Sequence, residues 1–325
     1  MTAQHEDHVA ALGRAAKVID AADTVVLLCH VNPDGDALGS MLALHHALLA
    51  AGRSSIASFP EPFDVAPHYR DLPGLDLLTA PSELPAAPPL VITFDCGAIG
   101  RLGGLAPVAE QAAELIVFDH HVSNERYGSI NVINPKAAAT GVVVRELIDR
   151  LGLRLDRNVA FCLYVALVCD TGRFQYETTT PEVFALAGEL VGFDLPVSEL
   201  SRTLFEEHSF AYLALLGEAL ASMTLVREQS FVWTSVTQEQ LIRHNVTLDE
   251  VEGLIDIVRR TAEADVACVL KEDAEGAVRV SLRSVGATDV QRVAAAHGGG
   301  GHRFAAGFTS SDGIDATVAA IRASL

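Results

Sequence analysis

Hydrophobic positions fall into two rhythms along this chain. In the first, nearly unbroken apolar runs cover residues 24–28, 90–94 and 114–118. Runs of that length without alternation predict strands buried on both faces, as in a parallel sheet. Between them, helical spacing or Ala- and Leu-rich composition predicts helices over 9–22, 37–51, 138–151, 156–168 and 181–191. Gly52 stops the second of these, and 54–59 reads as a further strand. The many prolines of 60–89 predict loops with short elements. Segments 194–205 and 210–220 are again helical. The rhythm then changes. Short strands are expected at 223–227, 231–236, 265–270 and 278–282, and helices at 251–260, 289–296 and 314–325. The pattern predicts an α/β protein of two domains. The first, 1–191, has a largely parallel sheet flanked by helices. A connection over 192–208 leads to a smaller mixed-sheet domain, 209–325, with the active site expected in the cleft between them.

Each apolar run of the first domain stops at chemistry. The first leads into Cys29-His30-Val31-Asn32-Pro33-Asp34-Gly35-Asp36, the second into Asp95-Cys96-Gly97, and the third into Asp119-His120-His121. The apolar helix 156–168 ends in Cys169-Asp170. An aspartate before a helix serves as a cap, and Asp34 or Asp36 suits that role. Capping has no use for histidine, however, and does not explain the same pattern at three strands. Convergence at the carboxyl ends of strands, where open α/β sheets bind ligands, explains all of them. Asp34, Asp36, Asp95 and Asp170 together are prohibitive without cations, and two divalent ions would balance them. Asp95, on a central strand, is the natural bridging ligand, and a two-metal centre suits in-line displacement at phosphorus.

Composition narrows the substrate. The chain has 325 residues, half of them apolar, and a net charge of −19. That charge argues against long nucleic acids, which need Lys and Arg along the phosphates. It leaves room for small anions held through metal ions. The five cysteines have no CxxC spacing and read as reduced and buried. Residues 1–8 do not resemble a signal peptide, and no apolar run is long enough for a membrane span, so the cytoplasm is the expected location.

In the second domain, His297-Gly298-Gly299-Gly300-Gly301-His302-Arg303 predicts a backbone able to close around a phosphate, with His302, Arg303 and Arg283 adding side-chain donors. It is not a Walker loop, because no GK[ST] follows. A flexible linker is the plainer reading of four glycines, and the apolar flank argues against it. His45 and His46 are expected at solvent or a packing seam, and His5, His8, His68 and His244 lack acidic partners at useful spacing. His208 reads as a surface or hinge residue, and Trp233 as core.

The ordered series His30-x3-Asp34-x-Asp36, Asp95, Asp119-His120-His121, Asp170 and the terminal Gly-Gly-Gly-His resembles the DHH/DHHA1 phosphoesterase family, in its nanoRNase and pAp phosphatase (NrnA-like) branch. The resemblance implies two manganese ions. His30, Asp34 and Asp95 would hold one, and Asp36, Asp95, His120 and Asp170 the other. It implies His121 as general acid or phosphate ligand and Asp119 as the group orienting a histidine. Gly299, Gly300, Gly301, His302, Arg303 and Arg283 would grip the distal part of the substrate. It further suggests a homodimer. The expected activity is hydrolysis of short 5′-phosphorylated oligoribonucleotides such as pApA, and of pAp to AMP, with cyclic di-AMP a further substrate. Pyrophosphatase, exopolyphosphatase and an inactive nucleotide sensor are the alternatives. A dehydrogenase is excluded by the lack of a G-x-G-x-x-G after the first strand.

Overall fold

In the computed structural model, which describes residues 3–325, the unbroken apolar runs form one all-parallel sheet. Its strands are β1 (Thr24–Cys29), β2 (Ser54–Ser58), β3 (Leu90–Phe94), β4 (Glu114–Asp119) and β5 (Ile130–Ile133), in the order β2-β1-β3-β4-β5. Alternate residues of β1 feed different cores. Val25, Leu27 and Cys29 face one, and Val26 and Leu28 the other, which is why the run cannot alternate with polar residues. The first core is covered by α1 (Ala3–Ala21), α2 (Gly35–Ala50), α4 (Thr140–Arg150) and α5 (Arg157–Asp170). The second lies under the turn Ile99–Leu105 and α3 (Ala106–Glu110). The order reverses between β1 and β3, and the carboxyl ends of those strands open the crevice where such sheets take ligands.

Helices α2 and α5 approach closely because small residues line their contact. A Cβ on Gly39 would lie 2.4 Å from the Cys162 carbonyl oxygen. This approach brings the start of α2 beside the end of α5. Two more helices, α6 (Pro181–Val191) and α7 (Val197–Phe205), complete the first unit, which runs to Glu207. The segment expected as a connection thus carries α7, whose Leu200 is buried in the first core.

The second unit, His208–Leu325, contains α8 (Phe210–Ala221), β6 (Thr224–Val226), β7 (Phe231–Val236), α9 (Gln238–His244), α10 (Leu254–Val258), β8 (Val266–Glu272), β9 (Val278–Ser284), α11 (Val290–Ala296), β10 (Gly300–His302), β11 (Ala305–Ser310) and α12 (Ile314–Ser324). Its sheet runs β10-β11-β9-β8-β7-β6 and is mixed, with β7 and β8 parallel and the other pairs antiparallel. One face carries α11 and α12. The other is covered over β7 and β8 by residues of α8, α9 and α10. The helix expected over 251–260 is instead a 3₁₀ turn, Asp249–Val251, followed by α10; Gly253, a weak helix former, separates them. Strands β5, β10 and β11 and the helices α3 and α9 were not foreseen.

Several side chains correct the sequence reading. His8 pairs with Glu146 at 2.6 Å and His244 with Glu218 at 2.9 Å, partners that sequence spacing hid. Of the two places expected for His45, solvent or a packing seam, it takes the second: it is buried and bonds Ser55 Oγ. His208 stacks on Tyr212. Trp233 packs against the core, as expected. All five cysteines are free thiols. Among the described residues no helix is long and apolar enough to cross a membrane.

Candidate active site

Aspartate 95 is the hub. It follows β3 directly and adopts φ +54°, a left-handed backbone uncommon for a non-glycine residue and characteristic of functional turns. Its carboxyl is buried and splits between two groups. Oδ2 lies 3.8 Å from His30 Nε2, whereas Oδ1 lies 3.7 Å from His120 Nε2 and 3.4 Å from His121 Nδ1. Thr140, at the start of α4, donates its hydroxyl to Oδ1 at 2.9 Å and so fixes the rotamer.

On the Oδ2 side stand His30 and Asp34. Asp34 is both cap and candidate ligand. Its Oδ1 accepts the N–H groups of Asp36 and Ala37 as the N-cap of α2, and its Oδ2 lies 3.9 Å from His30 Nε2. The two sequence readings of this residue were never exclusive, because a carboxylate has two oxygens. On the Oδ1 side stand Asp36, His120 and Asp170. Asp36 accepts from Ser40 Oγ and from the N–H groups of Thr140 and Gly141, which hold its Oδ2 3.9 Å from His120 Nε2. Asp170, the last residue of α5, brings Oδ2 within 3.1 Å of the same nitrogen.

These residues suit divalent cations. The ligand atoms of His30, Asp34 and Asp95 lie within 4.8 Å of one another, as do those of Asp36, His120 and Asp170, and those of Asp95, Asp119, His120 and His121. His30 Nδ1 bonds the Val31 carbonyl at 2.9 Å and His120 Nδ1 the Ala137 carbonyl at 3.1 Å. Each ring can thus donate from Nδ1 and turn the lone pair of Nε2 into the cluster, the tautomer a metal ligand needs. Both Nε2 atoms are buried and make no hydrogen bond. Burial, and then the neighbouring charge of Asp34, pushes the Asp95 carboxyl up to about 7. Asp36 is likewise raised by burial and by the charges of Asp95 and Asp170. Carboxylates this strained by burial and one another are the sites that cations stabilise.

Asp119 behaves differently. It is fully buried, yet its carboxyl lies below the usual range. Burial alone would raise it, but donors outweigh that cost. Oδ1 accepts the N–H groups of His120 and His121 and the ring Nδ1–H of His121 at 2.7 Å, and Oδ2 accepts Asn124 Nδ2. It holds the His120-His121 turn in place and fixes the His121 tautomer. The His121 pKa is raised: burial opposes its charge, and Asp119 more than compensates.

The sequence reading passed over Arg101 and Thr140. Arg101 accepts the Val31 N–H at its carbonyl, at 2.9 Å, which sets the turn after β3 against the turn after β1. Its Nη2 then stands 3.0 Å from His30 Nδ1. That nitrogen faces both the guanidinium and the Val31 carbonyl, and Arg101 takes part in no ion pair among the described residues. A cation following an acidic strand end by six positions was the available signal.

In the second unit the expected substrate contacts share one end of the sheet. Arg283 lies on β9 opposite Ala305 of β11, and His302 of β10 pairs with Ala305 in turn. The side chain of His302 lies outside the described residues. Arg303 is exposed, over the Phe304 ring. The glycine stretch is not a loop throughout: residues 300–302 form β10. A Cβ on Gly299 would lie 2.2 Å from the Gly307 carbonyl oxygen, and one on Gly301, at φ +138°, 2.5 Å from that of Ala305. Those two glycines let β10 close on β11. Only at Gly300 would a Cβ meet open space, so of the three it alone presents bare backbone outward.

Both units resemble known proteins. The model of the DHH family, N-terminal domain, matches residues 24–167, and that of the DHHA1 domain matches residues 229–325. The bifunctional oligoribonuclease and PAP phosphatase NrnA of Thermus thermophilus is 33% identical over 298 residues, 90% of this chain and 86% of that protein. Its namesake from Bacillus subtilis is 27% identical over 296 residues, 90% of each chain. The crystal structure of an exopolyphosphatase-related protein from Bacteroides fragilis is similar with a TM-score of 0.89 and 26% identity, covering 97% of this chain and 95% of that one.

Proposed function

The chain belongs to the DHH family and carries the DHHA1 domain beside it, and from that premise we propose that it hydrolyses short 5′-phosphorylated oligoribonucleotides to mononucleotides and pAp to AMP, with cyclic di-AMP a further substrate. The observation that carries this reading is the convergence of three aspartates and two buried, unbonded imidazole nitrogens on the split carboxyl of Asp95. His30, Asp34 and Asp95 would hold one divalent ion and Asp36, Asp95, His120 and Asp170 a second, which we take to be Mn²⁺. Such ions supply Lewis acidity at phosphate oxygens and make a bound water nucleophilic near neutral pH.

The chain's own groups do the rest. Arg101, without a carboxylate partner, meets the non-bridging oxygens of the scissile phosphate and balances charge that grows in the transition state. His121, held through Nδ1 by Asp119, donates a proton to the departing ester oxygen as the P–O bond breaks and the bond to the water oxygen forms. Thr140 keeps Asp95 in one rotamer throughout. Arg283, Gly300, His302 and Arg303 hold the part of the substrate away from the reacting phosphate, with Gly299 and Gly301 shaping that strand. We place the enzyme in the cytoplasm and expect a homodimer. Pyrophosphate or polyphosphate hydrolysis is the competing reading, the latter raised by the exopolyphosphatase-related protein from Bacteroides fragilis.

A side-by-side rate comparison decides. With Mn²⁺, pApA and pAp turn over faster than cyclic di-AMP and pyrophosphate, and the double variant Asp119→Ala/His120→Ala abolishes all of it. Turnover of pyrophosphate alone sinks the oligonucleotide reading. Absence of any turnover moves the sensor to the front.

A further inference from the structure

Just past Asp170 the backbone takes an unusual course. Gly172, Arg173 and Phe174 follow one another at φ +55°, +62° and +62°. That left-handed region suits the glycine and is sparsely populated by residues with a side chain. Hydrogen bonds hold the turn. Thr171, fully buried, donates its hydroxyl to the Leu167 carbonyl at 2.7 Å and accepts the Phe174 N–H at 3.1 Å. Its carbonyl accepts the N–H groups of Gln175 and Tyr176 at 2.9 and 3.0 Å. The two strained side chains are anchored as well. Phe174 packs against the first core and stacks on Phe184 of α6, and the Arg173 guanidinium lies over the Phe205 ring of α7.

What this turn delivers is the ring of Tyr176. A Cβ on Gly172 would lie 2.3, 2.5 and 2.6 Å from Cζ, Cε1 and Cε2 of that ring. Nearly equal distances to three adjacent ring atoms put the point over the face of the ring, not beyond its edge. The phenol half therefore lies flat on the bare α-carbon of Gly172, and only glycine leaves room for it. Tyr176 joins neither core of the first unit and is 41% exposed, so the open surface is the side turned away from Gly172. Gly172 stands two residues from Asp170, which puts their α-carbons at most about 7.6 Å apart. One exposed aromatic residue is ordinary on a protein surface. A glycine, two strained residues and a buried hydroxyl that together hold one aromatic face beside a candidate metal ligand are not.

We propose that Tyr176 is a stacking platform for a nucleobase next to the scissile phosphate. The inference rests on the function proposed above, in which that phosphate lies at the Asp95 cluster, and it uses groups of the first unit alone. The separation of the ring from Asp170 is within the reach of a nucleoside from its own phosphate. The cluster recognises phosphate and is blind to what the phosphate is attached to. The ring supplies that distinction, because pyrophosphate and polyphosphate have no base to lay on it. Every base has a π-face, so the contact adds affinity for nucleotides of any sequence.

The test uses the full chain with Y176L, Y176F and Y176W. Hydrolysis of pAp is compared with that of ribose 3,5-bisphosphate, which has the same phosphates and no base. The wild type is expected to favour pAp in kcat/KM. Y176L should narrow that preference about tenfold, the size of one base on one aromatic ring, and through KM rather than kcat. Y176F restores the face and with it most of the preference. A loss in Y176F equal to that in Y176L assigns the contact to the hydroxyl and overturns the proposal, as does a preference that Y176L leaves untouched. Y176W gives a readout that needs no turnover. Trp233 is the only tryptophan of the chain, so the wild type supplies the background and the added emission reports position 176. With Mg²⁺, AMP should quench that emission and ribose 5-phosphate should not. Hydrolysis of pAp without such quenching overturns the platform. Quenching in a chain that hydrolyses nothing sinks the catalytic reading and leaves the base contact standing.

Discussion

The two units present their candidate phosphate-binding groups in opposite ways. In the N-terminal unit, groups from three strand ends and two helices converge on one carboxyl, all but Asp34 buried or half-buried, with hydrogen bonds fixing almost every atom not left for a ligand. In the C-terminal unit the candidate contacts lie along an open sheet face, exposed or half-buried, on a floor with almost no side chains. Bond cleavage needs reacting groups held within a fraction of an ångström, and only packing from several directions achieves that. Holding a flexible chain of variable length needs reach and tolerance, which a rigid pocket would forbid. A substitution in the buried cluster should therefore strike chemistry, and one on the open face should strike affinity.

The largest expected effect tests the hub. Asp95→Asn removes charge shared by both halves of the cluster, and several kcal/mol of stabilisation go with it, a loss of about 10³-fold or more in turnover. Metal content after dialysis should fall in parallel, read by elemental analysis. If R283A cost as much in kcat as Asp95→Asn, the division of labour between the units would be wrong.

Next comes Arg101→Ala. A charge-assisted contact to phosphate is worth about 1.5–3 kcal/mol, or roughly ten- to hundredfold in kcat/KM, and Arg101→Lys should recover part of it. Metal content should be unchanged, since His30 keeps its bond to Val31. Loss of metal instead of phosphate affinity would recast Arg101 as a clamp on His30.

Why Arg101 escaped the sequence reading, and Asp95 did not, is a matter of distance along the chain. Strands buried on both faces are apolar throughout, so the polar group that ends one stands out, and His30, Asp95, Asp119 and His120 could all be read from that edge alone. Asp36 and Asp170 were legible for the same reason, at helix ends. Arg101 and Thr140 gain their roles from pairing with Val31 and Asp95 across long stretches of chain, and no local pattern marks such a partner. The fold shows the same limit. Long periodic elements were visible, whereas β10, a strand of two glycines and a histidine with no strand propensity of its own, exists only because β11 lies beside it.

Acid should separate the units by a further, smaller effect. Histidine 45 sits buried in α2, the helix that carries Asp36, and burial pulls its pKa down to about 4. The unfolded chain binds that proton near pH 6.5, so between 6.5 and 4 unfolding takes up protons and stability rises with pH. The contribution is full above 6.5 and is lost as pH falls towards 4, about 3 kcal/mol in all. Urea midpoints of the wild type and His45→Asn at pH 7 and pH 5 isolate it, because the cluster's carboxylates are common to both. The wild type should lose more on acidification, and parallel losses would dismiss His45 as the cause.

The smallest effects lie in the glycine strand, where three adjacent residues that look alike in sequence should behave as two kinds. Gly299→Ala drives a methyl group into the Gly307 carbonyl, and overpacking of this sort costs roughly 1–3 kcal/mol. Gly301→Ala adds backbone strain at φ +138°. Both should lower the melting temperature whether or not any ligand binds there. Gly300→Ala meets nothing within 4 Å and should leave the melting temperature where it is, while its methyl group stands where a ligand would approach the backbone. A several-fold rise in KM for pApA at unchanged Tm and kcat is the expected result. An unchanged KM would mean that bare backbone at Gly300 is incidental, and that this face grips through its arginines alone.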